Sequence, residues 1–174
     1  MTAPLFVCHA NCSRSVLAAY LYRHLCSAPA LSAGLEPGEQ ISDRAAGILR
    51  AWGIDPSGHR PMKLTGPLCC EASGIFVMAP SYLHRLLWDY GEQYAAKAYL
   101  FADPFSMPTS FCNREYVVCD PSFDERPTSE LLKDFDWMRQ RVTEIHRALL
   151  GDGKRLIPVR EYLDLCKSVD RQSH

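Results

Sequence analysis

The run Pro4-Leu5-Phe6-Val7-Cys8 contains no charged side chain, and six residues beyond it the pattern has become that of a helix. A short strand that is apolar on both faces belongs in a parallel sheet covered by helices on either side. In the segment that follows, "RSVLAAYLYRHLC", Val16, Leu17, Tyr20, Leu21 and Leu25 share one helical face. A second cycle comprises the strand "ALSAG", the loop "LEPGEQIS" and the helix "DRAAGILRAWG", with Ser42 as N-cap and Gly53 as C-terminal stop. "GIFVMA" at 74–79 is a third strand, Pro80 opens the helix "PSYLHRLLWDYGEQY", and "AKAYLFA" at 96–102 is a fourth strand. Leu131, Phe135, Met138, Val142, Ile145 and Leu149 recur at spacings of 4 and 3, which predicts one long amphipathic helix, and "PVREYLDLCKSVD" predicts a further short one. The alternation predicts an α/β three-layer sandwich: a four-stranded parallel sheet with helices on both faces.

At 174 residues the chain is expected to form one main domain. Its 19 Lys and Arg nearly balance 20 Asp and Glu, which argues against nucleic acid or an acidic membrane as partner. The N-terminal sequence lacks the basic and apolar regions of a secretory leader, and no apolar stretch is long enough to span a bilayer. A cytoplasmic location is expected, with the eight cysteines (8, 12, 26, 69, 70, 112, 119 and 166) as reduced thiols, because a chain with a full core does not need disulfide staples. No cysteine or histidine spacing suits a closed metal site, and His24, His84 and His146 fall on helices as surface or boundary residues. No cofactor is expected.

In open parallel sheets, ligands sit beyond the carboxyl ends of the strands. "CHANCSRS", residues 8–15, occupies that position after the first strand. A loop running from a strand into a helix N-terminus turns successive N–H groups, and the helix dipole, towards an anion. Arg14 adds a planar fork for two phosphoryl oxygens, and the same positive field favours the thiolate of Cys8, the reactive form of a cysteine nucleophile. Asn11 suits a left-handed backbone position, and Ser15 is able to donate its hydroxyl to the Cys8 sulfur.

With "FVCHANCSRS" as the anchor, the chain resembles the low-molecular-weight protein tyrosine phosphatases, whose loop reads Val-Cys-x-Gly-Asn-x-Cys-Arg-Ser-Pro. "SAG" at 32–34, "DRA" at 43–45, "GIDPSGHR" at 53–60, "LT" at 64–65, "IFVM" at 75–78 and "DP" at 120–121 follow in the family's order, so that the resemblance covers roughly residues 4 to 150. Residues 1–150 are therefore expected to form the phosphatase domain and 151–174 a helical extension packed on it.

The resemblance implies a flavodoxin-like strand order 2-1-3-4 and hydrolysis of phosphomonoesters through a cysteinyl-phosphate intermediate. Cys8 would be the nucleophile and Arg14 the phosphoryl ligand. His9, Ala10, Asn11, Cys12 and Ser13 would form the loop, with Asn11, Ser15, Ser32 and His59 supporting it through hydrogen bonds. Of the two Asp-Pro pairs, Asp120-Pro121 precedes the long helix and follows an apolar stretch, as the family's general acid does, and Asp103-Pro104 reads as a turn. The expected substrates are phosphorylated proteins or small phosphomonoesters, with phosphate or other oxyanions binding in the loop.

The sequence also departs from the family pattern. Ala10 replaces a glycine, which would cost about 1 kcal/mol or more if the backbone there required positive φ. Cys12 and Ser13 replace an apolar residue and a cysteine, so a Cys8–Cys12 disulfide is one reading and a small apolar lining residue the other. Val16 replaces a proline. Ser122-Phe123 stands in place of two tyrosines and "LEPGEQIS" has no aromatic residue, which leaves Phe123 as one substrate wall and keeps phosphoarginine open beside phosphotyrosine. Two other functions compete: a phosphate-recognition module with little turnover, and a thiol-dependent arsenate reductase using Cys112 and Cys119, seven residues apart.

Overall fold

In the computed structural model, which describes residues 2–102, 112–113, 117–153, 155–158 and 161, the apolar runs become a parallel sheet. Its strands are β1 (Leu5–Cys8), β2 (Leu31–Gly34), β3 (Ile75–Val77) and β4 (Ala98–Leu100), in the order β2-β1-β3-β4. β1 is central: Leu5 is opposite Leu31 and Ile75, and Phe6 is opposite Ser32 and Phe76. The alternation of side chains divides the core in two. Phe6 and Cys8 face a cluster containing Phe76, Met78 and Phe101, while Leu5 and Val7 face a second cluster containing Ile75, Val77 and Leu100. Phe6 lies with its ring centroid 5.6 Å from that of Phe76 and 5.9 Å from that of Phe101. Each such fully buried ring stabilises the fold by about 1.5–3 kcal/mol.

The first cluster is covered by α1 (Arg14–Cys26), α2 (Asp43–Ala51), and residues of two later helices; the second is covered by α3 (Gly66–Glu71) and α4 (Pro80–Tyr90). Ser42 caps α2 by accepting from the Ala45 amide, Gly53 stops it at φ +76°, and Pro80 sits in the first turn of α4. Among the described residues, no helix is long and apolar enough to cross a membrane.

Several sequence expectations are corrected. α1 does not bury a single face: Val16, Leu17, Ala18, Ala19, Leu21 and Tyr22 are all buried while Leu25 is 37 % exposed. The cause is that α1 lies between the sheet and the C-terminal helix, where Tyr22 bonds His146 at 2.8 Å. The predicted long helix is two, α5 (Thr128–Phe135) and α6 (Trp137–Leu149), broken at Asp136. α3 was not anticipated; it is started by Thr65, whose hydroxyl accepts from the Leu68 amide, and by Pro67. Nor was the antiparallel pair β5 (Cys112–Asn113) and β6 (Val117–Val118). The short helix predicted from residue 158 onward falls mainly outside the described residues, as does Asp103.

Candidate active site

The loop between β1 and α1 is shaped from outside. The carbonyl of Cys8 accepts from the Leu35 amide (3.2 Å), that of His9 from Glu36 (3.0 Å), that of Ala10 from Gly38 (2.9 Å), and that of Cys12 from Ser42 (2.9 Å). The carbonyl of Asn11 accepts from Nε2 of His59 at 2.8 Å. In a planar trans peptide the N–H of the next residue points opposite to the carbonyl, and there are no cis bonds among the described residues. Five carbonyls drawn outward therefore turn the amides of residues 9–13 inward. The Asn11 amide reaches the Cys8 sulfur at 3.3 Å, and those of His9, Ala10, Cys12, Ser13 and Arg14 have no protein acceptor among the described residues.

Two residues make this curvature sterically possible. Asn11 is fully buried at φ +53°, the left-handed conformation its side chain favours; its Oδ1 accepts from the Met62 amide (2.9 Å) and its Nδ2 donates to Ser15 (3.0 Å). Gly34, at the end of β2, has no side chain where the loop crosses it: a Cβ there would lie 2.6 Å from the His9 carbonyl oxygen and 2.9 Å from the Asn11 nitrogen. Ala10 is not at positive φ, so alanine in place of the family's glycine carries no backbone strain.

Cys8 is 2 % exposed, and its sulfur lies 3.0 Å from the Ser15 hydroxyl. Cys12 donates its thiol to the Ala10 carbonyl at 3.2 Å; burial and the neighbouring Cys8 and Asp120 push its pKa up, holding it in the protonated form. Cys8 and Cys12 are both free. His59 is held below its ordinary pKa, chiefly by burial, with Arg23 and Arg60 adding repulsion; the Asn11 carbonyl, which only accepts, requires the proton on Nε2. Ser32 lies on β2 opposite Phe6, and its hydroxyl makes no hydrogen bond to the loop among the described residues, unlike the support expected of it.

Arg14 opens α1 and is 7 % exposed. Its Nη2 donates to Asp120 Oδ2 at 2.8 Å and to the Tyr82 hydroxyl at 2.9 Å, and its Nη1 reaches the Val118 carbonyl at 3.5 Å. Its Nε is buried and has no partner. Asp120 follows β6, which is tied to the end of β3 by the Val118 amide and the Met78 carbonyl (2.9 Å). Its Oδ1 accepts from the Ser122 amide at 3.1 Å and so caps a 3-10 turn, Pro121–Phe123, that carries the exposed Phe123 ring. Ser122 donates its hydroxyl to Ser13 (3.1 Å), which lies 3.3 Å from the Ser42 hydroxyl, so three hydroxyls join the loop, the α2 cap and the Asp120 turn.

Thus the structure brings Cys8, Asn11, Arg14, Ser15, His59 and Asp120 together in one place. Tyr82, Gly34 and Ser122 join the site without having been anticipated; an aromatic residue in the first turn after β3 was the available signal for Tyr82. The backbone of Cys112 pairs with Val118, next to the exposed Cys119, and the Cys112 side chain lies outside the described residues. No cluster of three or more His, Cys, Asp or Glu side chains among the described residues is arranged to hold a metal.

A family model described as low molecular weight phosphotyrosine protein phosphatase matches residues 4–156. Among solved structures, the chain is similar to the low molecular weight protein tyrosine phosphatase from T. tengcongensis, at 26 % identity over 84 % of this chain and 99 % of that one, TM-score 0.67. It is also similar to the tyrosine phosphatase Wzb from Escherichia coli K30 in complex with sulphate (20 % identity, 85 % and 98 % covered, TM-score 0.68). A third is the YwlE arginine phosphatase from Geobacillus stearothermophilus (20 % identity, 87 % and 95 % covered, TM-score 0.69). No curated protein matches the chain.

Proposed function

This chain belongs to the low molecular weight phosphotyrosine protein phosphatase family, whose reaction is cysteine-dependent phosphomonoester hydrolysis, and from that premise we propose that Cys8, Arg14 and Asp120 carry the reaction. The observation that supports this most directly is the buried, unpartnered Nε of Arg14 beside a ring of amides of which, among the described residues, only that of Asn11 has a protein acceptor, the Cys8 sulfur. Buried donors are almost always satisfied, so a buried Arg14 Nε left without a partner beside inward-turned amides supports a place built for an anion.

A phosphomonoester dianion enters the ring and takes the Arg14 fork, displacing the Asp120 carboxylate. The freed Asp120 carboxylate takes a proton from solvent; the Cys8 thiolate then attacks phosphorus in line while Asp120 delivers that proton to the leaving oxygen, and the S–P bond forms as the P–O bond breaks. In the second step Asp120 takes a proton from water, the water oxygen attacks phosphorus, and the S–P bond breaks. The departing thiolate is received by the Asn11 amide and the Ser15 hydroxyl. The amides and Arg14 serve the charge on the equatorial oxygens in both displacements.

The exposed Phe123 ring, two residues after Pro121 of the turn that bears Asp120, supports phosphotyrosine-like substrates by offering an apolar face to a phenyl leaving group. Residues 1–150 are proposed as the phosphatase domain and 151–174 as an extension packed on it; Leu156 packing against the core cluster supports that packing, while the family match runs on to residue 156. A cytoplasmic location accords with a nucleophile that must remain a free thiol.

Hydrolysis of p-nitrophenyl phosphate at mildly acidic pH tests the assignment. Wild type is expected to turn over and Cys8→Ser to lose about 10³-fold or more while still binding phosphate. No turnover by wild type overturns it.

A further inference from the structure

We propose that Tyr82 is a positioning residue for Arg14, keeping the guanidinium at the anion ring when Asp120 lets go of it. The inference rests on the assignment of Arg14 as the phosphoryl ligand. Nη2 of Arg14 carries two hydrogens and here has two acceptors, Asp120 Oδ2 at 2.8 Å and the Tyr82 hydroxyl at 2.9 Å. The guanidinium carbon also lies 5.3 Å from the centroid of the Tyr82 ring, within range for a cation–π contact. Nε is the one guanidinium nitrogen left without a partner.

An incoming phosphoryl group competes with Asp120 because both are anions. It takes the Nη2 hydrogen that Asp120 held together with Nε–H, the adjacent edge of the fork. Tyr82, neutral and on a different element, is not displaced by that exchange. Without it, the guanidinium is free to follow the Asp120 carboxylate as the acid-bearing turn moves.

Tyr82 is itself fixed from two sides. Its amide bonds the Ala79 carbonyl at 3.1 Å in the first turn of α4, next to the buried Leu83, and the His9 ring stacks against it at 6.3 Å and 27°. Since His9 follows Cys8, the stack links α4 to the anion loop as well as to the arginine.

The test measures inorganic phosphate binding by calorimetry in a Cys8→Ser background, so that affinity is read without turnover. Tyr82→Phe, which keeps the ring and its stack, is expected to weaken phosphate about three- to tenfold, and Tyr82→Ala, which also removes the ring face, by more. In an Arg14→Lys background the Tyr82→Phe effect is expected to shrink below about twofold, because a lysine has no fork for the hydroxyl to orient. A residue with only a structural role would weaken both backgrounds equally and lower the thermal midpoint; that result, or unchanged affinity in Tyr82→Phe, overturns the proposal. Absence of phosphate binding in Cys8→Ser with Tyr82 intact instead overturns the assignment of the anion site, and this proposal with it.

Discussion

From Cys8 to Cys12 each carbonyl is bonded to a donor outside the loop, and four of the five donors are backbone amides of residues 35–42. The segment that carries Asp120 reaches the same site mainly through side chains, its carboxylate on Arg14 and the Ser122 hydroxyl on Ser13, with one long backbone contact in which Arg14 Nη1 donates to the Val118 carbonyl at 3.5 Å. The difference matches what the proposed reaction asks of the two regions. A ring of amides is useful only if it is rigid before the anion arrives, since preorganised dipoles need no rearrangement during reaction. An acid that must release an arginine, protonate one oxygen and later take a proton from water benefits from a lighter attachment. On the proposed assignment, backbone and side-chain restraints would divide the site into a fixed anion receptor and a movable proton donor.

Gly34→Ala is the harshest test of the rigid half. The added Cβ would approach backbone atoms of His9 and Asn11 to within 2.6–2.9 Å, and neither can swing aside as a side-chain end would. Loss of about 1–3 kcal/mol in stability and at least about 10²-fold in turnover is expected, measured by denaturant unfolding and p-nitrophenyl phosphate hydrolysis. A variant that keeps both would show the loop to be adaptable, and the distinction between the two regions would fail. On the movable side, Asp120→Asn is expected to lower kcat about 10²-fold with no loss of stability. Its phosphate affinity should be unchanged or tighter, since Arg14 is relieved of a competing carboxylate; weaker binding would mean that Asp120 helps to shape the receptor.

The uneven legibility of the sequence follows the same division. The placement of Cys8, Asn11, Arg14 and Ser15 is readable because the roles proposed for them depend on local spacing and on residue type: a thiol, a left-handed backbone, a planar cation and a hydroxyl. Asn11 at φ +53° and the Ser42 cap show how far such local rules carry. The carbonyl clamps were not readable, because any non-proline residue supplies the amide of Leu35, Glu36 or Gly38. Tyr82 lies 68 positions from Arg14, and Ser122 lies 109 from Ser13, so only the packing of β3 and β6 brings them together. The stripe from Leu131 to Leu149 reads as one helix because the apolar spacing runs through the break, where Asp136 keeps near-helical angles (φ −61°, ψ −31°).

Ser122→Ala sharpens the comparison at smaller scale. It removes one hydroxyl bond between the acid turn and the loop, a net contribution of about 1 kcal/mol at most in a half-buried position. A fall in kcat of about two- to fivefold at unchanged phosphate affinity is expected. An equal fall in affinity would join the two regions into one unit.

The smallest effect is a pH dependence confined to the rigid half. His59 donates to the Asn11 carbonyl while burial, aided by Arg23 and Arg60, holds its pKa below the ordinary value of about 6.5. A histidine whose folded pKa is depressed binds fewer protons folded than unfolded as pH falls below that ordinary value. Its contribution to stability is therefore fully present above about pH 6.5 and declines as pH drops towards the folded pKa. The unfolding free energy of wild type should thus fall more steeply below pH 6.5 than that of His59→Gln, whose side chain does not titrate, while carboxylate contributions common to both cancel in the difference. The loss should also reach the anion site, because protonating a buried ring beside two arginines loosens the Asn11 peptide, which holds the inward amide of Cys12. Parallel slopes for the two proteins would remove His59 as a pH-sensitive clamp and leave the loop's rigidity to the backbone bonds from residues 35–42.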